Sequence, residues 1–161
     1  MILPTVEERL DSIARALEAV IIPSLPEQAK LAIELTQLSI GHLKIVSGQL
    51  DKLGPLMATD QAAIFELGSG LAAQADGGAA TMSAATALKA VLGGSDRYVP
   101  SRDVIASLSA AVCHLIDAAS EDGRAEFTSY AVRTGLAFEQ AQSGRERELF
   151  YGYGFDSTDN M

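Results

Sequence analysis

His42 is the side chain of this sequence best placed to do chemistry. In its predicted helix it falls on an apolar stripe between Leu38 and Ile45, with Ser39 near the same face. A buried imidazole needs hydrogen-bond partners, and it can contact a ligand or transfer a proton near neutral pH. Two interpretations follow. Either His42, Ser39, Leu38 and Ile45 line a ligand-binding cavity, or His42 is a satisfied histidine of the core or of an interface, the commoner role of a single histidine.

Cys113 and His114 are adjacent, but they do not predict a nucleophile with its base. Neighbouring side chains on a helix point about 100° apart, so the two groups do not face each other. His114 falls on a polar face with Asp117, and no cationic side chain is placed to activate the thiol. A solvated helical face is the favoured interpretation.

The common catalytic and metal-binding motifs are absent from the sequence. One cysteine and two histidines supply few metal ligands, and the E-x-x-H pairs of di-iron bundles do not occur. P-loop, G-x-S-x-G, S-x-x-K and H-E-x-x-H motifs do not occur either. The sequence therefore predicts no metal and no cofactor, and it leaves catalytic residues unassigned.

Residues 63–70, Ala-Ile-Phe-Glu-Leu-Gly-Ser-Gly, resemble the first motif of the class I methyltransferases. In that family an apolar strand and an acid precede a G-x-G turn, whose glycines let the backbone approach the cofactor. The resemblance implies a doubly wound sheet, but no second strand follows along the chain. A G-x-G pair alone is a weak signal, so a glycine-containing helix end is the favoured interpretation.

The composition is that of one ordinary globular domain. The chain has 161 residues, of which 48% are hydrophobic and 20% charged. Its formal net charge of −9 argues against nucleic acid and anionic membranes as main partners. Glu7, Glu8 and Asp11 occupy the place of a signal peptide's basic region, so we expect a cytoplasmic protein without a membrane partner.

The helical spacing of apolar residues predicts an all-α fold. We expect a single-domain bundle of five to six helices in residues 1–144, with a long second helix, and an aromatic-containing tail in residues 145–161. A capping box at Thr5 and Glu8 begins the first helix, and Pro23 ends it. The predicted helices span about residues 6–22, 24–53, 57–75, 81–92, 101–122 and 124–142, with Gly54-Pro55 ending the second.

Two of these helices carry apolar residues on two faces, which is typical of central or interface helices. On the second helix the main stripe, taken as core, comprises Leu31, Leu35, Leu38, Ile45, Val46, Leu50 and Leu53. The candidate interface residues are Ile33, Ile40, Val132, Leu136 and, in the tail, Phe150, Tyr151, Tyr153 and Phe155. We therefore expect a non-catalytic helical interaction or accessory protein that forms a homo-oligomer, with a dimer favoured, through the first, second or last helix. The aromatic tail either binds a protein partner or packs against its own bundle, and the sequence favours neither. The alternative is a small-molecule-binding protein or enzyme with an apolar cavity beside His42.

Overall fold

The computed structural model describes residues 3–151 of the chain, and this part is all-α with no β-strand. The predicted all-α fold with one long second helix is confirmed. There are five helices within the described residues. They are α1 (Val6–Ala16, continued by Leu17–Ile21 and Ile22–Ser24), α2 (Lys30–Gln74), α3 (Ala79–Gly94), α4 (Arg102–Asp122) and α5 (Ala125–Phe150).

The first helix begins as the sequence predicts and ends slightly later. Glu8 donates its backbone N–H to Thr5 Oγ1 at 3.1 Å, and Thr5 donates its own to Glu8 Oε2 at 2.7 Å, which completes the capping box. The helix then widens into a π-helical turn, in which Ile22 N–H bonds to Leu17 O. Pro23 follows this turn and lies inside the last helical residues instead of stopping them.

The predicted start of the second helix at Ser24 is wrong. Ser24 ends the first helix, and its Oγ donates to Val20 O at 2.6 Å, so it does not cap the next helix. A turn closed by the Ala29 N–H to Pro26 O bond leads into α2, which begins at Lys30. Serine bonds to a backbone carbonyl one turn earlier as readily as it caps a helix, and a sequence motif does not distinguish the two.

Gly54-Pro55 does not end a helix, so the predicted second and third helices are one. Pro55 lies inside α2 and leaves the carbonyl of Asp51 without its usual helical donor. Asp51, Gly54 and Pro55 are all exposed, which lets water reach the backbone there. The chain nevertheless divides into two compact units at this point. Unit 1 comprises residues 1–53 and 149–161, and unit 2 comprises residues 54–148.

The last helix is also longer than predicted. We expect it to end near Gln142, but α5 continues past Gly144 to Phe150. Arg145 holds this extension in unit 2, because its Nε and one terminal nitrogen both lie 2.8 Å from Asp60 Oδ1. Both side chains are largely buried, a setting in which an ion pair is screened less by salt than on the surface.

Unit 2 contains an extensive hydrophobic core. Large aliphatic side chains such as Leu71, Leu88, Leu108 and Leu115 are fully buried in it. Small residues fill the positions between them and let the helices approach closely. These buried alanines are Ala72, Ala84, Ala85, Ala118, Ala119 and Ala131.

Two connections of unit 2 meet at glycines. Gly77 and Gly123 form an isolated antiparallel bridge, and a Cβ on Gly77 would lie 2.7 Å from Gly123 Cα. Only residues without a side chain permit this approach. Beside it, Asp122 caps α3 by accepting the N–H groups of Ala80 and Thr81 and, at 2.6 Å, the Thr81 hydroxyl. The hydroxyl and N–H groups of Thr81, and then the N–H of Ala80, lower the pKa of Asp122 below its ordinary value.

We expect Asp122→Asn to lower the free energy of unfolding at neutral pH and to matter less in acid. Since folding lowers the pKa of this carboxyl, its stabilisation is present above the unfolded-state pKa and is lost as the pH falls through the folded-state value. Urea unfolding of both proteins from neutral pH to pH below 4 checks this. Asp117→Asn, at an exposed position of the same helix, is the control. A difference between wild type and Asp122→Asn that is independent of pH contradicts the assignment.

The Gln61 side chain forms hydrogen bonds with the connection between α3 and α4. Its side chain is 1% exposed, and its Nε2 donates to Asp96 O at 3.0 Å and to Val99 O at 2.9 Å. Its Oε1 accepts the Ser101 N–H at 2.8 Å. One buried amide thereby satisfies backbone groups at both ends of the connection, as buried polar groups require.

Unit 1 has polar contacts between α1 and α2 but a small core. Lys44 Nζ lies 3.7 Å from Glu18 Oε2, and Ser47 Oγ donates to Asp11 Oδ1 at 3.2 Å. Gln49 Nε2 donates to Leu149 O at 3.0 Å. The buried apolar residues of this unit, among those described, are Ala14, Ile40 and Ile45.

Candidate interaction surface

The four residues of the predicted ligand site do not share one environment. His42 is exposed on α2, and Leu38 is 55% exposed. Ser39 is exposed, and its Oγ donates to Leu35 O at 2.8 Å. Ile45 is buried. Leu38 and His42 therefore belong to an open face of the helix, and a cavity beside His42 stays a prediction.

The candidate interface residues also divide into different settings. Ile33 is half-buried, and Ile40, 6% exposed, belongs to the packing of unit 1, where it lines a cleft with Glu18 and Lys44. Val132 and Leu136 stand exposed on α5 and line a surface cleft of about 610 Å³. Phe150 and Tyr151 are exposed as well. Tyr153 and Phe155 lie outside the described residues.

Unit 1 exposes a stripe of apolar side chains along α2, which the sequence assigned to the core. Leu31 is 68% exposed, and Leu35, Leu38 and Val46 are each exposed by nearly half or more. We call these four residues the leucine face. They follow one another at steps of four and three residues, with His42 between Leu38 and Val46, so all lie on one side of the helix. Four such side chains make an apolar patch on the order of a few hundred Å², a size typical of interaction sites.

Two hydroxyl groups next to the leucine face already have hydrogen-bond partners within the helix. Thr36 Oγ1 donates to Ala32 O at 2.7 Å, and Ser39 is bonded in the same way. Covering the face would therefore leave neither hydroxyl without a partner. Between Leu31 and Val46 the acidic and basic residues are Glu34 and Lys44, and Lys44 is paired with Glu18.

The remaining candidates for chemistry do not assemble into a catalytic site. Cys113 and His114 are both exposed on α4. Among residues 3–151, no three His, Cys, Asp or Glu side chains come together as a metal site would require. Residues 63–70 lie inside α2, so the strand and turn of the methyltransferase motif do not form.

One helix of the described part is long and apolar enough to cross a membrane by length and composition. This helix is α4, Arg102–Asp122. The core helix of a globular protein passes the same test, and Leu108, Val112 and Leu115 of α4 are buried in the core of unit 2.

Comparisons with known proteins assign no family. No family model matches the chain, and neither a curated protein nor a solved structure matches it. The function of the chain is consequently inferred from its own surfaces and side chains.

Proposed function

We propose that this chain is a non-catalytic helical interaction protein that forms a homodimer through the leucine face of α2. The observation that carries the proposal is the exposure of Leu31, Leu35, Leu38 and Val46 on one side of the helix. Burying such side chains contributes roughly 1.5–3 kcal/mol each relative to leaving them in water. Because these side chains are 45–68% exposed in the single chain, a partner that covers them would gain about half of that free energy.

The small core of unit 1 supports the need for a partner. Buried apolar side chains are few in this unit. The first helix, α1 with its continuation, exposes three more apolar side chains, Val6, Ile13 and Val20. Short helices are marginal in water and acquire most of their stability from the packing of an apolar face. Contact with a second molecule would supply packing that the unit does not provide for itself.

A second copy of the chain is the partner that the leucine face fits best. Leucines at steps of three and four residues pack well against the same pattern on another helix. Each copy carries a net charge of −9, which opposes pairing, and a face with few charged residues adds little local repulsion to it. His42 is a polar residue within the seam, and such a residue fixes the register in which two helices pair.

The native mass of the purified protein tests the proposal. Light scattering and native mass spectrometry over a wide concentration range should give twice the chain mass of 16.9 kDa, with dissociation on dilution. A monomer at every concentration would contradict self-association. If native mass spectrometry shows a different protein bound to the chain, that protein becomes the partner assigned to the leucine face.

A further inference from the structure

Unit 2 has a cavity where α2, α4 and α5 meet. Its volume is about 160 Å³. The apolar side chains that line it are Ile64 and Leu67 of α2, Val112 and Ile116 of α4, and Phe138 of α5. An apolar protein cavity of about 150 Å³ holds one benzene molecule or a xenon atom. The size and lining therefore suit one small ring or a short aliphatic chain.

Gly135 of α5 forms part of the cavity wall. A Cβ on Gly135 would lie 3.2 Å from Ile116 Cδ1, which is a tight contact. A larger side chain at this position would therefore displace Ile116 or enter the cavity. Glycine inside a helix costs about 0.5–1 kcal/mol relative to alanine. The glycine at this position therefore lets α5 pack closely against Ile116 at the edge of the cavity.

Polar groups stand at the rim of this cavity. Ile64 and Val112 are buried and form the floor, whereas Cys113 and Glu139 are exposed and lie at the mouth. Ser109 and Gln142 complete the polar part of the lining. Of the described residues that line the cavity none is basic, and Glu139 places a carboxylate at the mouth. A carboxylate at the mouth favours a cationic end group and disfavours an anionic one.

We propose that this cavity is a binding site for a small apolar amine. The ring or alkyl chain enters between Ile64, Val112 and Phe138, and the ammonium group remains at the mouth beside Glu139. This site is separate from the leucine face, because its lining belongs to unit 2 and the leucine face to unit 1. Its occupation is consequently independent of the proposed dimerisation.

Benzylamine is the probe that tests the proposal, and benzoate is the same ring with the opposite charge. In methyl NMR of the full chain, benzylamine should shift the signals of Ile64, Val112 and Ile116 saturably, while benzoate should shift them far less. Glu139→Gln should weaken benzylamine binding by about two- to fivefold, as expected for a partly exposed ion pair. Absence of saturable shifts overturns the site, and equal binding of benzoate overturns the assignment to amines.

Gly135→Met provides the decisive variant, because methionine fills irregular space and raises helix propensity. We expect it to abolish the benzylamine shifts. Gly144→Met is the matched control on the same helix, since a Cβ there meets no atom within 4 Å. It should bind benzylamine as the wild type does. Binding that survives in Gly135→Met overturns the proposal.

A measurement on the wild type removes dependence on how well any variant folds. Cys113 is the single cysteine of the chain, and it is exposed at the rim. Alkylation by iodoacetamide should slow as benzylamine occupies the cavity and covers the thiol, and benzoate should leave the rate unchanged. An alkylation rate that saturating benzylamine does not alter contradicts the site.

Discussion

Replacing Leu35 and Leu38 together by glutamate should convert the proposed dimer into a folded monomer. Both side chains are about half exposed in the single chain and neither belongs to its buried core, so their replacement removes only part of its own packing. Glutamate is also a good helix former. In the dimer, however, four carboxylates would be removed from water without partners, which costs several kcal/mol. We expect the dissociation constant to rise about 100-fold or more.

Sedimentation or light scattering gives the mass of this variant, and circular dichroism shows whether it stays helical. The matched control is Val132→Glu with Leu136→Glu, since Leu136 on α5 is 56% exposed and Leu38 is 55% exposed. The control should remain a dimer. Dissociation of the control alone would move the interface to α5. Unfolding of Leu35→Glu with Leu38→Glu would show that these leucines are core residues.

Gln61→Leu should produce the largest loss of stability of any single change considered. Leucine fills a similar volume but removes the bonds to Asp96 O, Val99 O and the Ser101 N–H. Backbone groups left without partners beside a buried side chain each cost about 1–3 kcal/mol, and water relieves part of this at the exposed loop. We expect the free energy of unfolding to fall by about 2–4 kcal/mol.

Urea unfolding measures this loss, and hydrogen exchange localises it. The Ser101 amide should lose protection, because its acceptor is gone. Gln74→Leu, an exposed glutamine near the end of the same helix, should change the stability by less than about 0.5 kcal/mol. A Gln61→Leu protein as stable as the wild type, with the Ser101 amide still protected, would contradict the role assigned to this side chain.

Local sequence signals predicted the helices themselves better than the residues at which the helices end. The capping box at Thr5 and the helical spacing of apolar residues were sufficient to predict an all-α fold with a long second helix. The predicted helix end at Gly54-Pro55 was wrong, because a helix with an exposed backbone tolerates one missing hydrogen bond. Such tolerance depends on what surrounds the proline, and the sequence does not give its surroundings.

The sequence could not distinguish the buried face of α2 from the exposed one. Both faces are apolar, and the stripe with more leucines was taken as core, whereas the structure buries Ile40 and exposes Leu31 and Leu35. Hydrophobicity alone does not say which apolar face a neighbouring helix covers. The cavity beside Gly135 could not be predicted either, because its lining comes from three helices far apart in the sequence.

The close approach of Gly77 and Gly123 also bears on how this sequence can diverge. A methyl group on Gly77 would meet the backbone of Gly123, and no rotation of a side chain relieves that collision. By contrast, Gly41, Gly93 and Gly144 have room for a Cβ and are free to change. Homologues should therefore keep Gly77, Gly78 and Thr81 at the start of α3, and Asp122 and Gly123 at the end of α4. We expect this even where the surface residues of the protein differ.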